Sequence, residues 1–124
     1  MRLAAARIFV RDLETAERFY AGTLGLGVRA GGPDVGWLVL DVGEVDLVLE
    51  PVALDDDADD QQLVGRFTGL SLRVDDIAAT WARLRDAGAI LGSEPRVQPW
   101  GGTLGTVVDP DGNRLDLVEY PRTA

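Results

Sequence analysis

Apolar positions crowd the start of the chain, Leu3-Ala4-Ala5-Ala6-Arg7-Ile8-Phe9-Val10, and predict a strand over residues 3–10. The polar turn Arg11-Asp12-Leu13 ends it, with Asp12 placed to cap a helix. Leu13, Ala16, Tyr20 and Leu24 then recur at helical spacing until Gly22, Gly25 and Gly27 close the pattern. Phe19 and Tyr20 read as packing on that helix. Short apolar runs near 27–30, 36–41 and 45–50 predict three strands, with turns at Gly31-Gly32-Pro33-Asp34 and Val42-Gly43-Glu44.

The pattern lapses over residues 51–66, where Asp55, Asp56, Asp57, Asp59 and Asp60 predict a solvated linker or surface loop. The spacing lacks the glycine and terminal glutamate of a calcium-binding EF-hand loop. It then restarts. Leu70-Ser71-Leu72-Arg73-Val74 predicts a strand, Asp75-Asp76 a capping turn, and Ile77, Trp81 and Leu84 a helix that stops at Ala87-Gly88. Trp81 fits the helical period and reads as core. Strands follow near 94–98, 103–108 and 114–120. The last two flank Asp109-Pro110-Asp111-Gly112-Asn113, where Pro110 presets φ, Gly112 accepts positive φ, and the Asp and Asn side chains can bond the local backbone.

The second half repeats the first. Val10-x-Asp12-Leu13 matches Val74-x-Asp76-Ile77 at an offset of 64, and Val45-Asp46-Leu47-Val48 matches Leu115-Asp116-Leu117-Val118 at an offset of 70. The predicted fold is therefore α+β: two pseudo-symmetric βαβββ modules forming a curved eight-stranded mixed sheet around a cleft, with one helix per module outside. Module 1 spans about 3–50, the acidic linker 51–66 and module 2 about 67–121, all within one domain. Strand parity sends Leu38, Leu40, Val45, Leu47, Leu49, Leu70, Leu72 and Val74 toward the helices. The opposite parity lines the cleft with Ala5, Arg7, Phe9, Trp37, Val39, Asp46, Val48, Glu50, Ser71, Arg73, Asp116, Val118 and Tyr120.

Composition narrows the chemistry. The formal charge is −9, which argues against nucleic acid and anionic membranes. No apolar run approaches the roughly 20 residues that span a bilayer, and Arg7 interrupts any signal-peptide core. A cytoplasmic location is the resulting expectation. All 12 basic residues are arginine, and histidine, lysine and cysteine are absent. Acid–base chemistry is left to Asp, Glu or Tyr, and any metal to oxygen ligands. The three glycines near residue 25 lack the lysine and the strand-to-helix setting of a phosphate loop.

Three stretches together resemble the vicinal oxygen chelate superfamily, which includes glyoxalase I, extradiol dioxygenases, fosfomycin-resistance enzymes and bleomycin-binding proteins. They are Val10-Arg11-Asp12-Leu13-Glu14 with Phe19-Tyr20 and Leu24-Gly25, then Val74-Asp75-Asp76-Ile77, then Asp109-Pro110-Asp111-Gly112-Asn113. The resemblance covers nearly the whole chain. It implies metal-ligand positions on the first and last strands of each module, here Ala5, Gly69, Asp46 and Asp116. Both histidine positions are vacant, so neither a resident cofactor nor His-dependent dioxygenase chemistry is expected. The resemblance also implies a homodimer, with the modules paired within a chain or swapped between two.

Asp46 and Asp116 occupy equivalent positions, so they are expected to approach each other, sharing a proton or holding a divalent ion. The alternative pairs each with Arg7 or Arg73 or leaves it solvated. Arg7 and Arg73 suit a carboxylate or phosphate on a ligand, or serve as counter-ions for Asp46, Glu50 and Asp116. Phe9 and Trp37 are placed to stack on a planar ligand, with Glu50, Ser71 and Tyr120 beside them. Trp100, bracketed by Pro99 and Gly101, is a candidate for a lid or a dimer contact. Two functions follow. One is a protein that binds and sequesters a planar or aromatic small molecule. The other is a lyase or isomerase in which Asp46 and Asp116 form an oxygen-only metal site or act as acid–base catalysts.

Overall fold

The structure, a computed structural model, describes residues 1–122. The chain divides into two compact units, 1–66 with 110–113, and 67–109 with 114 onward.

In the first unit β1 (Ala5–Val10) leads to α1 (Leu13–Glu17), β2 (Gly27–Gly32), β3 (Trp37–Asp41) and β4 (Asp46–Pro51). The sheet order is β1-β4-β3-β2, with β1 and β4 parallel and the other pairs antiparallel. Asp12 caps α1 by accepting from the Glu14 and Thr15 amides, as its position predicts. The predicted single helix is, however, only five residues of α-helix, continued by a π-helical turn over Arg18–Thr23. The widened turn brings the neighbours Phe19 and Tyr20 inward together, in edge-to-face contact at 4.9 Å. Tyr20, Leu38, Leu40 and Leu49 are fully buried beneath it. Each such leucine contributes roughly 1.5–3 kcal/mol over exposure.

The segment predicted as an acidic loop carries a short helix, α2 (Ala58–Gln61), capped by Asp57. The Asp-Pro-Asp-Gly-Asn turn also does more than bond its own backbone. Buried Asn113 donates to the Phe9 carbonyl at 2.9 Å and accepts from the Gly65 amide at 2.8 Å. Asp111 accepts from the Arg11 amide at 2.9 Å. These bonds fasten the turn to the exit of β1.

The second unit repeats the plan with β5 (Phe67–Arg73), α3 (Ile77–Asp86), β6 (Ile90–Leu91), β7 (Arg96–Val97), β8 (Thr103–Val108) and β9 (Arg114–Glu119). The order is β5-β9-β8-β6, β5 and β9 are parallel, and β7 also pairs with β8. The predicted α+β fold of two repeated modules holds, and the hydrogen bonds group the strands as four and five. The ninth strand is β6, which precedes the run expected at 94–98; that run shortens to β7. Pro95 has no amide to donate, and the Thr106 amide turns to the Ser93 carbonyl at 3.0 Å. Asp76 caps α3 through the Ala79 amide, while Glu119 accepts from the Ile77 amide at 3.0 Å. No helix among the described residues is long and apolar enough to cross a membrane.

Candidate functional site

Arg7, Phe9, Trp37, Asp46 and Glu50 lie on strands of the first sheet and Ser71, Arg73 and Asp116 on strands of the second, while Trp100 and Tyr120 lie outside the strands. In the first sheet the pairs Ala5–Asp46, Arg7–Val48 and Phe9–Glu50 stand opposite one another. The structure brings Arg7, Phe9 and Glu50 together. The Arg7 guanidinium lies 3.3 Å from the Glu50 carboxylate and 5.6 Å from the centre of the Phe9 ring.

Asp46 is held by an arginine that parity reasoning missed. Arg29 reaches Asp46 at 2.7 Å, Asp41 at 2.8 Å and the Gly43 carbonyl at 2.9 Å. The partner is therefore Arg29, not Arg7 or Arg73. The register of β2 shifts between Val28 and Ala30, and Arg29 is the residue in that bulge. Sequence alternation gives no warning of such a shift. The Gly43 amide and the Arg29 guanidinium hold the Asp41 carboxyl below its ordinary value of 3.8. A divalent ion brought to Asp46 would have to displace a cation already seated there.

Trp37 opens β3. Its indole lies flat on Gly31, with ring carbons 2.6 and 2.7 Å from where a side-chain Cβ would stand. Gly31 adopts φ +78°, a backbone that only glycine enters at little cost. The indole stays 43% exposed and borders a pocket of about 430 Å³ shared with Gly32, Asp34 and Val35.

In the second sheet Ser71 stands opposite Asp116 and Arg73 opposite Val118. This corrects the position equivalent to Ala5, which the motif offset places at Gly69. The β5–β9 pairing is irregular between Phe67 and Ser71, Gly69 takes φ +74°, and the register moves by two residues. Val118 is buried despite its parity. Asp116 accepts from the Thr106 hydroxyl at 3.1 Å. It lines a pocket of about 410 Å³ with Ser93, Glu94, Arg96 and Thr106. The sequence reading placed Glu94 and Arg96 in a strand but did not assign either to the site.

Three further predicted residues form a separate cluster in the second unit. The Arg73 guanidinium lies 4.8 Å over the Tyr120 ring, and Tyr120 stacks on Trp100 at 5.9 Å with a 52° tilt. Trp81, by contrast, is half-buried with its ring edge against Gly105. Among the described residues no group of three or more Asp or Glu side chains could hold a metal ion. In the first unit Ala5 has no side-chain donor for a metal ion, and Asp46 is already paired with Arg29.

These features belong together in one family. The chain is a member of the Glyoxalase/Bleomycin resistance protein/Dioxygenase superfamily, whose sequence model matches residues 2–117. It is 34% identical over 119 residues to a bleomycin resistance protein of Klebsiella pneumoniae, a match covering 88% of this chain and 85% of that one. TnmS3, an antibiotic-binding protein from Streptomyces sp. CB03234, is 31% identical with a TM-score of 0.76, covering 98% of this chain and 97% of its own. A superfamily member from Sphaerobacter thermophilus DSM 20745 is 28% identical with a TM-score of 0.81, covering 97% and 98%.

Proposed function

We propose that this chain binds a planar or aromatic small molecule on the helix-free faces of its sheets and sequesters it unchanged. The observation that carries the reading is the pair of half-exposed indoles, Trp37 at 43% and Trp100 at 51%. An indole left in water forgoes a large burial energy, and a planar ligand stacking on it recovers that energy. The names of the relatives, a bleomycin resistance protein and an antibiotic-binding protein, support a small-molecule ligand. No resident metal or cofactor enters the reading. It includes a cytoplasmic location and a homodimer, the latter checked by light scattering on the purified chain.

Calorimetric titration with bleomycin and a panel of planar antibiotics, followed by mass analysis of the recovered compound, tests the proposal. Saturable heat with the compound returned at its original mass and chromatographic retention is the expected result. A product of altered mass, or of unchanged mass but altered retention, that disappears in Asp116→Asn would instead establish the lyase or isomerase reading.

A further inference from the structure

We propose that Arg29 is a built-in cation: its guanidinium fills a three-oxygen site that would otherwise take a hard divalent ion such as Ca²⁺, and so keeps the first unit independent of such ions. The inference goes beyond the ligand-binding reading and does not depend on it.

Strand register sets the need for a positive charge. Asp41 of β3 stands directly opposite Asp46 of β4, so the β3–β4 hairpin sets two carboxylates on one face, side by side. Like charges facing each other across a ladder are destabilising. The second unit has no such conflict. There the residue opposite Asp116 is Thr106, whose hydroxyl donates to it at 3.1 Å. An acid facing a hydroxyl is satisfied locally, whereas an acid facing an acid needs a cation.

Arg29 supplies that cation from β2, at the shift in pairing between Val28 and Ala30. Its two terminal nitrogens divide the contacts. Nη1 donates to Asp46 at 2.7 Å, and Nη2 donates to Asp41 at 2.8 Å and to the Gly43 carbonyl at 2.9 Å. Nη2 carries two hydrogens and both are used, so neither fork of the guanidinium is left for a two-pronged grip on a ligand's carboxylate or phosphate. Arg29 therefore serves the protein's own acids.

The acceptors it gathers, two carboxylates and a main-chain carbonyl, are the oxygen types that Ca²⁺ takes. Water can reach them to complete a coordination shell, since the Asp41 and Asp46 side chains are 58% and 43% exposed. A guanidinium stays charged throughout the working pH range. Being tethered, it also competes with a dissolved ion at an effective concentration on the order of millimolar. Removing it would leave two adjacent negative charges and a carbonyl with no cation between them.

Calorimetric titration with CaCl₂ at constant ionic strength tests the assignment on the parent chain, Arg29→Ala, Arg29→Gln and the double variant Arg29→Ala/Asp46→Asn. The acidic segment around Asp55–Asp60 is common to all four and cancels in the comparison. Arg29→Ala and Arg29→Gln are expected to bind one Ca²⁺ about tenfold more tightly than the parent, and the double variant to return to the parent level. Arg29→Ala should fold, because its ion pairs are exposed, and Arg29→Gln, which keeps a donor, carries the test if it does not. Circular dichroism checks each variant. Folded Arg29 variants with the parent's calcium affinity overturn the proposal, and so does a gain that survives Asp46→Asn. A parent chain that already binds one Ca²⁺ as tightly as Arg29→Ala also overturns it. Calcium affinity is read without any organic ligand, so failure here leaves the ligand-binding reading standing.

Discussion

The two tryptophan platforms differ in what holds them. Trp37 belongs to a strand and rests on Gly31, where an added Cβ would strike the Trp37 carbonyl as well as the ring. Trp100 belongs to a loop and rests on Gly102, where the three atoms nearest an added Cβ all belong to the ring. The first is therefore fixed by the backbone, and the second is a side chain that can be moved without disturbing the sheet. The same contrast runs through the acidic residues. Asp46 is clamped by a guanidinium, whereas Asp116 has a hydroxyl donor. In the first unit the platform and the acid are each tied to a fixed partner, and in the second the ring can swing aside.

Substitutions should expose that contrast in order of size. The largest effect is expected for Asn113→Ala, which removes a buried amide and strips partners from the part-buried carbonyl of Phe9 and amide of Gly65. The lost hydrogen bonds and the space left behind cost about 3 kcal/mol together, read as a fall in the denaturation midpoint. Gly31→Ala comes next, at roughly 2 kcal/mol, since it adds a left-handed backbone penalty to a clash with a carbonyl. Gly102→Ala should cost less than about 0.5 kcal/mol, because the ring swings aside. Equal losses for the two glycine substitutions would break the distinction between a fixed and a movable platform.

The smallest effect is expected for Arg29→Ala, whose ion pairs are well exposed and screened. It should appear in the pH dependence of the melting temperature. The folded pKa of Asp41 is depressed, so the stability it contributes is present above 3.8 and lost as the pH falls through the lower folded value. Removing Arg29 leaves only the Gly43 amide to hold Asp41 down, so the acid limb below 3.8 should become shallower. About 1 M salt, with a screening length near 3 Å, should erase most of the difference.

Much of the fold was legible in the sequence. The capping aspartates Asp12 and Asp76, the burial of Leu38, Leu40, Leu47 and Leu49, and the repeated βαβββ order all follow from local chemistry and period. The site was legible only by face. Parity put Arg7, Phe9, Glu50, Arg73 and Tyr120 together on one cleft lining; in the structure Arg7 meets Phe9 and Glu50, and Arg73 meets Tyr120. What escaped were the departures from regular register. The bulge at Arg29 supplies the partner of Asp46, and the irregularity in β5 puts Ser71 in place of Gly69 opposite Asp116. Asn113 looked like a local turn former, yet its partners are Phe9 and Gly65, distant in sequence.

The central claim is that ligands stack on Trp37 and Trp100, and the chain's three tryptophans make it directly measurable. Intrinsic fluorescence would be titrated with bleomycin and a planar antibiotic in the parent chain, in Trp37→Phe, in Trp100→Phe and in the double variant. The account predicts saturable quenching in the parent, reduced amplitude in each single variant, and no quenching of the remaining Trp81 emission in the double variant. Quenching as strong in the double variant as in the parent would place the ligand beside Trp81 at helix α3 and contradict the account.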